Sequence, residues 1–171
     1  MRFTDFDLAA LYNAIDAQRT ARGLTWRQVM QEINIRTDRV SIHPISPSTV
    51  TSLRTKAVAE GDGVLQMLRW LNRTPESFIP GYAADAETLK LPPMPSDKVL
   101  RFDTVKLHAA LNAQRIERRL TWQQVALEVR GMSAAGLTHL KKGGRTGFPF
   151  VTRICRWLGR PALDFTRLSD W

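Results

Sequence analysis

The sequence predicts an all-α protein made of two tandem five-helix domains, residues 1–79 and 102–171, joined by a Pro-containing linker, 80–101. Three observations lead there. The chain repeats itself, its apolar residues recur at helical spacing, and no segment sustains the alternation of a half-buried strand.

Slid by 96 positions, residues 6–33 meet residues 102–129 with 14 identities in 28 positions. "RGLTWRQV" (22–29) lies on "RRLTWQQV" (118–125), and Phe6-Asp7 lies on Phe102-Asp103. The match resumes with a shift of 87, which puts Ser46 on Ser133, Leu53 on Leu140, Arg69-Trp70-Leu71 on Arg156-Trp157-Leu158 and Phe78 on Phe165. The first copy is therefore nine residues longer, between Asn34 and Ile45. A copy of about 70 residues is long enough for a small core.

The elements follow in order. Leu8, Leu11, Tyr12 and Ile15 form one stripe of a first helix, which Gly23 interrupts. Thr25 is the cap of a second helix carrying Val29, Met30 and Ile33. Ser46 before Pro47 is a stronger start signal, because serine caps and proline suits the first helical position; the third helix runs from Pro47 to about Thr55. A fourth helix follows Asp62, with Val64, Leu65, Leu68 and Leu71 apolar. Thr74-Pro75 repeats the cap-plus-proline device for a short fifth. The second copy gives the same order, its third helix beginning at Ser133. Pro92, Pro93 and Pro95 make the second half of the linker stiff and extended.

The 171 residues hold 25 Lys and Arg against 16 Asp and Glu, a net charge of +9. Such an excess points to a polyanion, usually nucleic acid. It is uneven: residues 1–90 carry 11 basic and 10 acidic side chains, residues 91–171 carry 14 and 6. Cys155 is the single cysteine, so no intramolecular disulfide forms, and one thiol with three scattered histidines builds no zinc site. The apolar runs are too short to span a bilayer, and the N-terminus lacks a basic start followed by an apolar stretch. The expectation is a cytoplasmic protein that makes no membrane contact.

A short connection between second and third helices describes a helix-turn-helix unit. "RRLTWQQVALEVRGMSAAGLTHLKKGGR" resembles the Cro/repressor-type helix-turn-helix family, also called the XRE family, whose domains are lambda-repressor-like. "RGLTWRQVMQEI" and "SPSTVTSLR" carry the same resemblance in the first copy, where the extra residues turn the short connection into the loop "NIRTDRVSIHPI". Two departures stand out. The family usually has a glutamine after the threonine, touching the DNA backbone and bracing the recognition helix; here Trp26 and Trp122 stand there. An indole N–H donates but cannot accept, so these residues either donate to phosphate or pack at the helix start. The family also often pairs a first-helix arginine with a glutamate late in the recognition helix. Arg19 and Arg115 keep the arginine, but Arg54 and Lys141 occupy the glutamate position, and like charges cannot pair.

The resemblance implies a DNA-binding face. Carried across by position, the first copy offers Pro47, Ser48, Thr49 and Ser52 to base edges, and the second offers Ala134, Ala135 and His139. None is the arginine, lysine, asparagine or glutamine that reads a base bidentately. A larger share of the affinity is then expected from phosphate contacts and duplex shape. Lys141, Lys142 and Arg145 flank the "GG" after the second recognition helix; Arg54 and Lys56 are their counterparts, and Arg36, Arg39 and His43 in the loop add to them.

No catalytic residue is expected. His43, His108 and His139 lie in different elements with no spacing that suggests a triad, and Cys155 falls in an apolar stripe. "GDG" and "GG" are turn signals without a phosphate-cradle pattern, and no cofactor or metal is implied. The expected function is a transcriptional regulator, bacterial or phage, that binds two unlike half-sites on double-stranded DNA with two readers in one chain. The other reading is a protein-interaction regulator, antitoxin- or anti-activator-like, binding a protein partner through the near-neutral residues 1–79. A homodimer is compatible with either.

Overall fold

The computed structural model describes residues 5–34, 44–82, 89–95 and 97–170. Copy one contains α1 (Leu8–Ala21), α2 (Trp26–Ile33), α3 (Pro47–Thr51), β1 (Ala59–Glu60) and α4 (Gly61–Leu71). Then come β2 (Lys98–Phe102), α5 (Thr104–Glu117), α6 (Trp122–Val129), α7 (Ala134–His139), β3 (Gly147–Phe148), α8 (Phe150–Leu158) and β4 (Thr166–Asp170). Short 3-10 turns follow α3, α4, α7 and α8.

The all-α expectation is wrong. The described residues are 59% helical, but they also hold two antiparallel two-stranded sheets, so the fold is mixed. Both sheets are products of tertiary pairing. β1 of copy one pairs with β3 of copy two, Ala59 opposite Phe148 and Glu60 opposite Gly147. β2, at the end of the proline-rich segment, pairs with β4 at the end of the chain, Lys98 opposite Asp170 through Phe102 opposite Thr166. Strands of two residues carry no periodicity to read. β2 buries Val99, Leu100 and Phe102, a pattern that breaks strict alternation.

The local signals act as the sequence implies, with exceptions that have physical causes. Thr25 accepts from Gln28 N while Gln28 Oε1 accepts from Thr25 N, a reciprocal box that Thr121 and Gln124 repeat. Ser46 caps α3 through Thr49 N, with Pro47 next. The third helix is α-helical only to Thr51 and tightens to a 3-10 turn over Ser52–Arg54. The fourth is capped by Glu60 rather than starting after Asp62, because the Glu60 carboxylate accepts from Asp62 N and Gly63 N. Asp62 instead reaches across to the second copy, accepting from Phe102 N at 3.0 Å. The fifth segment, Pro75–Phe78, is a 3-10 turn, as is its counterpart Ala162–Phe165.

The two copies share one hydrophobic core. Phe6 and Phe102 are equivalent in the repeat, and the fully buried Phe148 ring contacts both, at centroid distances of 4.3 and 5.3 Å. The chains cross closely there. Gly61 N donates to Thr146 O at 2.8 Å, and a Cβ on Gly61 would lie 2.8 Å from the Phe102 ring. A Cβ on Gly147 would lie 2.8 Å from Ala59 O. Only glycine allows this approach. Polar ties reinforce the crossing. Arg153 grips Asp5 with two bonds of 2.8 and 2.7 Å, which holds the Asp5 carboxyl below its ordinary range. Glu76, 1% exposed, accepts from Ala162 N at 2.6 Å, and burial raises its carboxyl above the usual value.

Candidate nucleic-acid interface

α3 and α7, the helices expected to read DNA, are short elements anchored by one apolar side. Val50 and Leu53 are buried in copy one, Leu137 and Leu140 in copy two. The opposite sides face solvent. Pro47, Ser48, Thr49, Arg54 and Lys56 are exposed and Ser52 is half-buried. In copy two Ala135, His139, Lys141, Lys142 and Arg145 are exposed and Ala134 is half-buried. Arg36, Arg39 and His43 lie outside the described residues.

The hydroxyls at the start of α3 are tied to one another. Ser46 Oγ lies 2.8 Å from Ser48 Oγ and 3.0 Å from Thr49 Oγ1, and Ser52 Oγ donates to Thr49 O at 2.8 Å. These bonds fix the rotamers but leave oxygen lone pairs toward solvent. In copy two, His139 Nε2 lies 3.0 Å from Lys142 Nζ. Thr104 Oγ1 donates to Gly144 O at 3.1 Å, anchoring the basic segment to the first turn of α5.

Trp26 and Trp122 are half-buried, each contacted by an arginine and by a second ring. Arg19 lies over the Trp26 ring at 4.9 Å, Tyr12 stacks on it at 5.8 Å, and Arg54 covers Tyr12 at 5.5 Å. Arg115 lies over Trp122 at 4.9 Å, and His108 stacks on it at 5.3 Å. Burial, then the charges of Lys141 and Arg115, hold His108 below its ordinary pKa, so the imidazole is neutral at pH 7. This is how the fold manages the like-charged pairs: an aromatic pair stands between Arg19 and Arg54, its π faces turned to the cations. In copy one the stack thereby connects α1 and α2 to the 3-10 turn that follows α3. Sequence reasoning placed Tyr12 in an apolar stripe and gave His108 no role, and it missed that these two, which differ between copies, stack on the tryptophans.

A second repeated cluster was missed altogether. Glu32 receives two bonds from Arg22, at 2.7 and 2.9 Å, and one from Trp70 Nε1 at 2.8 Å. Glu128 receives the same from Arg118, at 2.7 and 3.1 Å, and from Trp157 Nε1 at 2.6 Å. The hydrogen bonds from arginine and indole lower both carboxyl pKa values. The signal was available: all three residue types are identical in the repeat alignment. Gln18 and Gln114, also identical, donate to Trp70 O and Trp157 O and lock the same corner.

Cys155 is buried, and burial raises its thiol pKa, which keeps it protonated. Among the described residues there is no cluster that could hold a metal ion, and no helix is long and apolar enough to cross a membrane. No family model, no curated protein and no solved structure matches this chain.

Proposed function

We propose that the chain is a duplex-DNA-binding regulator of the Cro/repressor type, carrying two helix-turn-helix readers, α2–α3 and α6–α7, in one molecule. The observation that carries this reading is the tie between the readers. Each reading helix runs, within a few residues, into a strand, and those strands pair across the copies. Four residues lie between Arg54 and Ala59, and four between Lys142 and Gly147. At the reach of extended chain, the ends of the two readers lie within roughly 40 Å of each other. One turn of duplex separates half-sites by about 34–36 Å. The second copy then plays the role that a second subunit plays in a dimeric repressor, with the spacing held by the protein core rather than by a loose tether.

The exposed side chains support phosphate contact more than base reading. Lys141, Lys142 and Arg145 supply charge in copy two, Arg54 and Lys56 in copy one. Selection of bound sequences from random duplex DNA tests the proposal directly. It should return a site of two unlike halves at one fixed spacing. Affinity should fall by orders of magnitude between low and moderate salt. No enrichment, or no duplex affinity at low salt, would refute the regulator reading and favour a protein partner.

A further inference from the structure

Beside the first reader lies a cavity of about 280 Å³, walled by residues of α3, β1, α4 and β2 and by Arg145 of the second copy. Its apolar part includes Ile45, Val58, Met67 and Val99. Two polar atoms in its wall are buried without partners: Gln66 Oε1, an acceptor with no donor, and Arg101 Nε, a donor with no acceptor. Leaving such groups unpaired costs about 1–3 kcal/mol each, so they call for an explanation. Gln66 is 6% exposed, and its amide nitrogen is already used on Leu100 O at 3.1 Å.

The charges in the wall are unevenly engaged. Glu60 accepts from Asp62 N and Gly63 N, and Asp62 accepts from Phe102 N and faces Arg101 at 3.7 Å. Among the described residues Lys56 makes no ion pair within 4 Å, and Arg145 acts on Asp62 only through its charge. The cavity therefore offers an apolar floor, one vacant acceptor and surplus cationic donors. Its size is at the small end of ordinary ligand sites.

We propose that this cavity binds a small amphipathic anion, its apolar body against Ile45, Val58, Met67 and Val99, an N–H or O–H donating to Gln66 Oε1, and its acid group accepting from Arg101. The wall includes Thr49 and Lys56 of the first reader and Arg145 of the second copy's basic segment. An occupant touches both halves of the DNA-binding face, so it is an effector of DNA affinity; that part rests on the function proposed above.

Anilinonaphthalene sulfonate is a suitable probe, since it combines apolar rings, one N–H and one anionic group. N-phenylnaphthylamine is the same molecule without the acid. Titrated into the full chain and followed by fluorescence, the sulfonate should bind at one site, about tenfold more tightly than the uncharged probe. Arg101→Met should erase that difference, and Gln66→Leu should weaken both probes. Should circular dichroism show that Gln66→Leu disturbs the fold, Val58→Trp, at the exposed rim, should block binding by filling the cavity. Absence of saturable binding, equal affinity for the two probes, or a difference that survives Arg101→Met overturns the site. Saturating sulfonate should also shift the chain's affinity for its selected duplex; an unchanged affinity overturns the effector role. Probe binding without DNA binding would refute the regulator reading and leave the cavity standing, and the reverse would refute the cavity alone.

Discussion

The rings of Phe6 and Phe148 lie 4.3 Å apart, and they belong to different copies of the repeat. Phe148 also meets Phe102 at 5.3 Å, so one side chain fills the space between two equivalent phenylalanines. Phe148→Ala should destabilise the protein by about 3–5 kcal/mol, as expected for emptying a large buried site. Because the core is shared, both copies should unfold in one transition. Calorimetry showing two separate transitions in the parent protein would contradict this.

The backbone crossing makes a second prediction. Gly61→Ala brings a methyl within 2.8 Å of the Phe102 ring and 2.9 Å of Thr146 O. Overpacking of this kind costs about 1–3 kcal/mol. Gly144→Ala is the control, since a Cβ there meets nothing within 4 Å. Urea denaturation should separate the two substitutions clearly.

His108 confers a pH dependence that its counterpart Tyr12 cannot. Its folded pKa is depressed from 6.5 by burial, Lys141 and Arg115. The unfolded chain therefore takes up the proton first as pH falls. The stability that His108 contributes is present above about pH 6.5 and is lost as pH drops through the folded pKa. His108→Tyr, which writes copy one's residue into copy two, should flatten the melting temperature between neutral pH and mildly acidic pH. An unchanged pH profile would show that the stack does not control this titration.

Glu32 and Glu128 report on the arginine–indole corners. Both carboxyls are held below the ordinary 4.5 by hydrogen bonds from arginine first and tryptophan second. Their contribution is present above that value and lost as pH falls through the lowered folded pKa. In carbon-detected NMR titrations, Trp157→Phe should move the Glu128 midpoint upward and leave Glu32 where it was, since the two corners lie in separate copies.

The DNA-binding reading separates two kinds of substitution. Lys142→Gln should weaken binding to every duplex alike and lower the salt slope by about 0.9, the share of one phosphate contact. Ser48→Ala and His139→Ala should instead alter preference within different half-sites. Identical changes from both would break the link between copy and half-site.

How much of this was legible in the letters divides along the range of the forces involved. The repeat, the capping residues Thr25 and Ser46, and the apolar stripes of α1, α2 and α4 all follow from contacts within one or two helical turns. The composition and the position of Lys141, Lys142 and Arg145 beside an expected reading helix were equally local facts. What the letters alone did not determine came from residues far apart in the chain. β1–β3 and β2–β4 exist only because the copies pack together, and strands as short as Ala59–Glu60 have no intrinsic preference strong enough to announce themselves. Whether Trp26 and Trp122 pack was left open by their spacing. It was decided by Tyr12, His108, Arg19 and Arg115, which reach the indole faces only once the first two helices of each copy meet. Asp62, after which the fourth helix was expected to begin, instead accepts from Phe102 N of the other copy, a backbone donor that no local pattern foretells.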